Sequence, residues 1–375
     1  MPALMVSPES TVRCVVECSP ALLVSRCCSK VVVRRDDFLR IWARCFSLAR
    51  GVAAFRARIV SDFARRAVPT FRATPYHEGS IVPESALGAP HGCCPACGAT
   101  SRRTRVGVLQ REPIVELLRC GVCGASAASR FPTEEWLMAW YARYYGDHKT
   151  GVTFTGFERF AAHIEPHVQV PLSAPLRILD FGSGDGALAI AIAKRWLDRV
   201  GGRAEIVLVD YHPAAICDDP RIQISPTRSL DDVHVLSSLV LASAILEHVP
   251  HPEETLRRLT ACLAPAGLFY ARTPWMESFV RWIPGFDAGY PGHLYDLGPR
   301  WWNSVGTRLQ LSVATELSQP SIVETGLGQA PARTLAAWIL KAPGHVEARL
   351  RAESQGTRLW GWVGGWEVFW RQRDL

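Results

Sequence analysis

The chain has 375 residues, of which 48% are hydrophobic, and is long enough for more than one domain with a sizeable core. It contains no apolar run of the roughly 18 residues that a transmembrane helix requires, which excludes a conventional membrane span. Residues 1–75 hold 13 Arg and Lys against 5 Asp and Glu, a balance of +8, so the remainder of the +7 chain sums to 7 − 8 = −1 and argues against a nucleic-acid-binding body.

Residues 1–75 form an arginine-rich extension, and apolar residues recur at roughly helical spacing between residues 36 and 66. A basic amphipathic helix there could make a peripheral contact with an anionic membrane or dock on a partner. The alternatives are a poorly ordered leader or translated sequence upstream of the true start. The first residues lack the charged, apolar and small-residue order of a secretory signal.

Residues 91–130, after a linker-like stretch over 76–90, contain two Cys-x2-Cys pairs separated by 22 residues. Two intervening residues let both thiolates of a pair reach one tetrahedral ion, and the glycine after each pair suits a turn with positive φ. The spacing predicts a structural Zn²⁺ ribbon, with a redox dithiol pair or unligated cysteines as alternatives. It also favours a reducing cytoplasm over a disulfide-forming compartment. The predicted ligands are Cys94, Cys97, Cys120 and Cys123.

Residues 131–175 are predicted as a helical connector, with one helix from Thr133 to about Tyr145 and another within 154–168. From Leu176 short apolar strands alternate with helices to about residue 325, which is typical of a parallel sheet with helices on its faces. The final segment, RLWGWVGGWEVFWRQ, predicts a β-hairpin or an antiparallel strand at the sheet edge. We therefore assign residues 176–375 to one α/β domain.

A glycine-rich loop begins that domain in ILDFGSGDGALAIAIAK, residues 178–194. Gly182, Gly184 and Gly186 let a nucleotide approach the backbone, and the helix that follows offers N–H groups at its N-terminus. The loop also satisfies the loose G-x-G-x-x-G/A pattern of dinucleotide sites. In that fingerprint the position of Asp180 is a small apolar residue. A carboxylate suits a ligand with an ammonium group instead, such as S-adenosylmethionine.

The next strand agrees with this interpretation, because EIVLVD ends in Asp210, 28 residues after Gly182. An acidic residue at the tip of the second strand can accept hydrogen bonds from both ribose hydroxyls. The alternative is a charged strand-end residue in solvent. The predicted cofactor-binding set is Asp180, Gly182, Ser183, Gly184, Gly186, Asp210, Tyr211 and Ser243, the last at the end of the fourth strand on the methionine side.

With these motifs the chain resembles the class I S-adenosylmethionine-dependent methyltransferases. The resemblance covers roughly residues 154–325 and rests on ILDFGSGDG, VLVD and LVLASAILEHVPHPEETLRRLTACLAPAGLFYART, in this order and spacing. It implies a Rossmann-like, seven-stranded, mostly parallel sheet whose last strand is reversed. The four-cysteine module ahead of the domain also looks like that of bacterial small-molecule methyltransferases, including deoxysugar C-methyltransferases.

Methyl transfer to a hydroxyl or an acidic carbon requires a base beside the cofactor. His248, at the tip of the fourth strand, is the first candidate because the unperturbed pKa of histidine lies near neutrality. The alternative is a histidine that only packs against or caps the next helix. His293 is the second candidate. Its loop would line an acceptor pocket or pack as an aromatic cluster, through Tyr290, Tyr295, Asp296 and Trp301.

The predicted function is a methyltransferase that uses S-adenosylmethionine and acts on an oxygen or carbon of a small molecule, such as a glycan or secondary metabolite. The Asn/Asp-Pro-Pro-Tyr/Phe stretch with which the family methylates exocyclic amines is replaced here by SAIL. Two alternatives stay open. One is an rRNA base methyltransferase that reads RNA through the ribbon, against which the charge of the body speaks. The other is a non-catalytic interaction module, against which Asp180, the glycines and Asp210 count.

Overall fold

Two β-sheets organise the computed structural model, which describes residues 80–147, 156–171, 174–211, 217–309, 313–351 and 358–373. The predicted basic extension, including the amphipathic segment 36–66, lies outside the described residues. In chain order the strands are β1 (Arg103–Gln110), β2 (Val115–Cys120), β3 (Ser126–Ala128), β4 (Leu176–Phe181), β5 (Ala204–Val209), β6 (Ile222–Thr227), β7 (Ser237–Ser243), β8 (Leu263–Trp275), β9 (Tyr295–Asp296), β10 (Val313–Pro320) and β11 (Gly364–Gln372).

The helices between these strands follow the predicted alternation. They are α1 (Glu134–Asp147), α2 (Phe157–Ile164), α3 (Ala187–Val200), α4 (Pro252–Ala261), α5 (Glu277–Trp282), α6 (Pro299–Arg308) and α7 (Pro331–Leu350). The first predicted connector helix is confirmed as α1, whereas the second is the shorter α2 followed by a 3-10 turn at Glu165–His167. None of the described helices has the length and apolar composition needed to cross a bilayer.

The larger sheet has seven strands in the order β10-β11-β8-β7-β4-β5-β6 and confirms the predicted α/β fold. Strands β4, β5, β6, β7 and β8 are parallel, and β11 runs antiparallel to both β8 and β10. The side chains of β4 and β7 are mostly buried, as expected for strands that helices cover on both faces. The carboxyl ends of β4, β5 and β7 therefore meet at one edge, where the site residues follow.

The C-terminal strand differs from the prediction in one respect. It is antiparallel as expected, but it lies between β8 and β10 rather than at the sheet edge. Trp366, Val368, Phe369 and Trp370 are all buried, so both faces of β11 are covered. The near-continuous apolar run GWEVFW reflects this double burial, whereas an edge strand with one solvated face would alternate.

The sheet of the cysteine module is completed by a strand from outside the module. Its strands β1, β2 and β3 form an antiparallel sheet whose fourth member, β9, comes from the larger domain, with Ser126 opposite Asp296 and Ala127 opposite Tyr295. Cys94, Cys120 and Cys123 lie in the same hydrophobic core as one face of the seven-stranded sheet. All described residues belong to one compact unit, Val68–Leu375.

Candidate active site

The glycine loop sits where β4 ends, and its backbone requires glycine. Gly182, Gly184 and Gly186 have φ of 71°, 55° and 72°, in the left-handed region that side chains disfavour. At Gly182 a Cβ atom would also collide with the side chain of Ile245. The Gly182 N–H donates to the carbonyl of Val209 at 2.8 Å, which ties the loop to the end of β5. The loop thus presents bare backbone at the carboxyl edge of the sheet.

Three carboxylates surround this loop. Asp180 is only 3% exposed. Burial raises its pKa to about 7, and the negative charges of Asp210 and Asp185 act in the same direction. Asp210 Oδ2 accepts the Gly184 N–H at 2.8 Å, and Asp185 Oδ1 accepts the Ala187 N–H at 3.1 Å at the start of α3. Because both charges that act on Asp180 are negative, a cationic ligand beside it would relieve the repulsion.

The other predicted cofactor residues have different surroundings. Ser183 is buried, and its Oγ has no hydrogen-bond partner among the residues the structure describes. Tyr211 is largely exposed directly after β5. The hydroxyl of Ser243 accepts a hydrogen bond from Arg272 Nε at 2.9 Å, and the same guanidinium pairs with Glu324. Ser243 is therefore held in a buried polar network at the end of β7.

The two predicted base residues meet although they are far apart in sequence. The rings of His248 and His293 pack edge to face with centroids 4.8 Å apart. His248 Nδ1 lies 2.8 Å from the carbonyl oxygen of Gly292 and 2.9 Å from the hydroxyl of Tyr141. A carbonyl only accepts, so this network assigns the proton to Nδ1 and the lone pair to Nε2. Tyr141, on α1, was not predicted, because nothing in its local pattern marks it as a site residue.

Burial sets the charge states around these rings. His293 Nδ1 donates to the carbonyl of Ala288 at 3.1 Å, and burial lowers the pKa of this histidine to about 4. Burial raises the pKa of Glu247 to about 8. The main-chain oxygen of Glu247 accepts the N–H of Leu294 at 2.8 Å and that of Tyr295 at 3.2 Å, which fastens the His293 loop to the tip of β7. Glu247 Oε2 is buried without a partner in the described part of the chain.

The four predicted cysteine ligands form one cluster. The Sγ atoms of Cys94 and Cys123 lie 3.8 Å apart, and those of Cys97 and Cys120 lie 3.9 Å apart. Zn–S bonds of about 2.3 Å in a tetrahedron give S–S edges of about 3.8 Å, so the donor set and its spacing fit a tetrahedral ion. Gly98 and Gly124, after the two pairs, have φ of 71° and 76°, as the turns were predicted to require.

A second group, Glu247 with His248 and His293, also brings potential ligand atoms together, all within 4.8 Å of one another. Glu247 Oε1 and His248 Nε2 are 3.9 Å apart. Nitrogen and oxygen ligands at about 2.0–2.1 Å from a tetrahedral ion would be separated by about 3.4 Å. The Glu247 and His248 side chains therefore stand wider apart than a shared ion requires.

The aromatic loop around His293 packs largely inward, and only Tyr290 of the four residues named for it borders a cavity, of about 390 Å³ beside Gln110. Tyr290, Tyr295, Asp296 and Trp301 are all buried. The Tyr295 hydroxyl donates to the carbonyl of Pro250 at 2.7 Å, and Asp296 Oδ1 accepts the Met276 N–H at 2.6 Å. These internal partners favour the packed-loop alternative that the sequence left open. His248, with 22% of its side chain exposed, and the half-buried His293 are both within reach of a ligand.

Comparison with known proteins gives the following matches. Residues 149–318 match a family described as "Methyltransferase domain". A trans-aconitate 2-methyltransferase of Methylobacterium nodulans is 30% identical over 111 residues, which cover 28% of this chain and 41% of that protein. The methyltransferase str2 of Strobilurus tenacellus is 28% identical over 132 residues, which cover 32% of this chain and 44% of that protein. The matched segments thus span about two fifths of these relatives.

Solved structures overlap with this chain at low identity. The plantazolicin methyltransferase BpumL, in complex with SAH, is 14% identical with a TM-score of 0.37, and the alignment covers 64% of this chain and 90% of that one. Coclaurine N-methyltransferase, bound to N-methylheliamine and SAH, is 12% identical with a TM-score of 0.33, and the alignment covers 58% and 70% of the two chains.

Proposed function

We propose that this chain, which contains a methyltransferase domain over residues 149–318, transfers the methyl group of S-adenosylmethionine to an oxygen or carbon atom of a small molecule. The observation that carries the proposal is Asp180. A buried carboxylate at the tip of β4, beside left-handed glycines and two further carboxylates, suits a cationic ligand and disfavours a pyrophosphate. This separates the site from that of a dinucleotide.

The residues around the loop fit the parts of the proposed cofactor. Asp180 would face the α-ammonium group, and the Asp210 carboxylate would accept hydrogen bonds from the ribose hydroxyls. The glycines allow the adenosyl group to approach the backbone, and the unpartnered Ser183 hydroxyl supplies a donor and an acceptor inside the loop. Tyr211 and Ser243 complete the proposed set. When bound, the cofactor supplies a methyl group already activated on a sulfonium.

His248 is the proposed base on the acceptor side. Its Nδ1–H is held by Gly292, so Nε2 carries the lone pair that takes the proton of an acceptor hydroxyl or acidic carbon. His293, whose pKa burial lowers to about 4, is the weaker base and is assigned a positioning role against the His248 ring. Glu247, whose pKa burial raises to about 8, is uncharged at neutral pH and is given no proton-transfer role.

The proposed role of the four cysteines is to hold one structural Zn²⁺. Four thiolates fill a tetrahedral shell and leave no position for a substrate, so this ion takes no part in the chemistry. It would instead fix the sheet that β9 completes, immediately after His293. A metal held by reduced thiolates also fits a reducing compartment such as the cytoplasm.

A small molecule is the proposed acceptor class. The charge of −1 over residues 76–375 leaves the body of the protein without the basic excess that nucleic-acid binding requires. One relative is named for methylation of trans-aconitate, which is itself a small molecule. Methylation of an rRNA base is therefore the less supported alternative.

Calorimetric titration with S-adenosylmethionine and, separately, with NAD tests the cofactor. We expect binding of the methyl donor only, weakened at least tenfold in Asp180→Asn and unchanged in the surface control Asp198→Asn, whose side chain is 70% exposed. Binding of NAD, or of neither ligand, would overturn the proposal. Transfer of a labelled methyl group to small-molecule extracts and to total RNA then separates the two acceptor classes.

Substitution of the proposed base gives an independent test. Because general base catalysis contributes about 10²–10⁴-fold, His248→Gln should lower kcat by roughly that factor while leaving cofactor affinity intact. His293→Gln should cost less, since this ring positions His248 and does not accept the proton. An equal loss of cofactor affinity in His248→Gln, or full activity, would remove His248 from the catalytic step.

A further inference from the structure

The hydroxyl of Tyr141 and the main-chain oxygen of Gly292 both meet one nitrogen of the proposed base, His248. His248 Nδ1 lies 2.9 Å from the Tyr141 hydroxyl and 2.8 Å from the Gly292 oxygen. The Tyr141 hydroxyl also donates to that oxygen at 3.3 Å, which closes a triangle of polar contacts. Because Nδ1 carries the proton, the hydroxyl oxygen accepts from Nδ1 and gives its own proton to Gly292.

This triangle gains strength when His248 accepts a proton. A base that takes the acceptor's proton at Nε2 becomes an imidazolium, and Nδ1–H then donates from a charged ring. Hydrogen bonds from a charged donor are about twice as strong as neutral ones, so the hydroxyl favours the protonated ring. The contact therefore raises the proton affinity of His248 and also fixes the plane of its ring.

Two other titratable side chains that contact His248 supply no negative charge for this purpose. Glu247 Oε1 is 3.9 Å from His248 Nε2, and the His293 ring packs against the His248 ring. Burial raises the pKa of Glu247 to about 8 and lowers the pKa of His293 to about 4, so both groups are uncharged at neutral pH. Stabilisation of the imidazolium is thus left to neutral acceptors, among them the Tyr141 hydroxyl.

Helix α1, which carries Tyr141, is positioned by the stretch of chain just before the cysteine module. At its start the Thr133 N–H donates to the carbonyl of Ala86 at 2.8 Å. One residue before Tyr141, Trp140 Nε1 donates to the Ser80 hydroxyl at 2.9 Å. The Trp140 ring also packs edge to face against the Tyr141 ring, with centroids 4.9 Å apart. Contacts with residues 80–86 thus hold α1 at both ends of the segment that leads to His248.

We propose that Tyr141 is a positioning residue for the methyl transfer, whose hydroxyl orients the ring of His248 and stabilises its protonated form. Tyr141 acts through His248 and is assigned no contact with the acceptor. The inference rests on the proposed function and deepens it, because Tyr141 lies outside the methyltransferase domain of residues 149–318. The proposed base then depends on a helix that precedes that domain.

The first test is a nuclear magnetic resonance titration of the histidine rings in the unliganded full chain, with the His248 signal identified by its loss in His248→Gln. Tyr141→Phe keeps the packing against Trp140 and removes the hydroxyl. We expect the pKa of His248 to fall by about 0.5–1 pH unit, since the protonated ring loses the stronger hydrogen bond. The control, Tyr270→Phe, removes a buried hydroxyl that donates to Glu367 at 3.1 Å and should leave the His248 titration unchanged.

The second test is methyl transfer as a function of pH. Tyr141→Phe should lower the plateau kcat about 3–10-fold and move the acidic limb of the profile to lower pH by the same 0.5–1 unit, with cofactor affinity unchanged. In the His248→Gln background the same substitution should cost nothing further, because Tyr141 acts only through that ring. Circular dichroism confirms that each variant is folded.

Two results would overturn the role of Tyr141. One is a His248 titration that Tyr141→Phe leaves unchanged. The other is an additive loss of kcat in the double variant, which would mean that the hydroxyl acts on the acceptor itself. Absence of methyl transfer by the wild-type chain would instead overturn the proposed function and with it the catalytic meaning of the contact. The ring titration measures the contact in the unliganded protein, so the two failures are distinguishable.

Discussion

Protonation of Asp180 should control the affinity for the cofactor. Burial and two neighbouring carboxylates raise its pKa to about 7 in the unliganded protein. An ammonium group binds the ionised form, so affinity should be full above pH 7 and should fall as the pH drops below that value. The α-carboxyl and α-ammonium groups of the ligand keep their charges between pH 5 and 7, which leaves the protein as the titrating partner.

The size of the effect follows from the linkage between protons and ligand. Each pH unit well below the pKa weakens binding by up to tenfold, or about 1.36 kcal/mol. Because half of Asp180 is already protonated at pH 7, Kd should rise by up to about 50-fold from pH 7 to pH 5. Asp180→Asn loses the charge and its charge-assisted hydrogen bond, worth about 1.5–3 kcal/mol, or roughly 10–150-fold in Kd at pH 7.5. At pH 5 the two proteins should bind almost equally, because Asp180 is then neutral as well.

Calorimetric titration with S-adenosylhomocysteine, which keeps the ammonium group and is not consumed, measures these affinities. Asp185→Asn is the matched control. It keeps an oxygen for the Ala187 N–H but removes one negative charge near Asp180, so the midpoint of the pH profile should move to lower pH. A wild-type Kd that is constant between pH 5 and 8, or an Asp180→Asn variant that keeps the wild-type slope, would refute the assignment of Asp180 to the ammonium group.

Three further changes test the frame around the site. Gly182→Ala should cost at least about 1–2 kcal/mol of unfolding free energy for its left-handed backbone, with a further loss of cofactor affinity from the clash with Ile245, both measurable by denaturant titration and calorimetry. Cys94→Ser, or treatment with a strong chelator, should release one metal ion per four-cysteine site and lower Tm, and a chain of unchanged metal content and Tm would contradict the zinc site. At Asp296 burial raises the pKa from 3.8 to about 8. The folded protein therefore keeps this group neutral at pH 7, which lowers the free energy of unfolding by roughly 1.36 × (7 − 3.8), or about 4 kcal/mol. This loss of stability is absent below pH 4 and grows as the pH rises toward 8. Asp296→Asn should therefore stabilise the fold by roughly 1–3 kcal/mol at pH 7, after the cost of an unpartnered amide, and should not stabilise it at pH 4, which urea unfolding at the two pH values can check.

The parts of this protein that the sequence could predict are those whose signals lie within a few residues. The loop around Gly182 is recognisable in the sequence, because positive φ and the close approach of a ligand to the backbone require glycine at fixed positions. The Cys-x2-Cys pairs do the same for their turns. The position of β11 inside the sheet was not predicted. An apolar run indicates that a strand is buried, but it does not indicate which strands pair with it. Pairing order is a long-range property, and a one-sequence pattern carries little information about it.

The proposed acceptor side of the site was harder to predict, because its residues come from segments that are far apart in the sequence. His248 and His293 were each identified as candidates, but their contact depends on a loop held by the main-chain oxygen of Glu247. Tyr141 reaches His248 from α1, 107 residues away, and nothing in its helix distinguishes it from a packing tyrosine. Tyr295, expected near the acceptor, turns inward to Pro250 instead.

The cysteine module is connected to the His248–His293 pair through the pairing of β3 with β9. Cys123 precedes β3, β3 pairs with β9, and β9 begins two residues after His293. An ion bound by Cys120 and Cys123 would therefore also hold the register of the strand beside the histidine pair. Loss of the metal should then change the surroundings of His293 before the seven-stranded sheet unfolds. Histidine ring resonances that shift on chelation, at a temperature where the far-UV circular dichroism is unchanged, would demonstrate this order of events. Simultaneous loss of both signals would instead mean that the module supports only the stability of the whole fold.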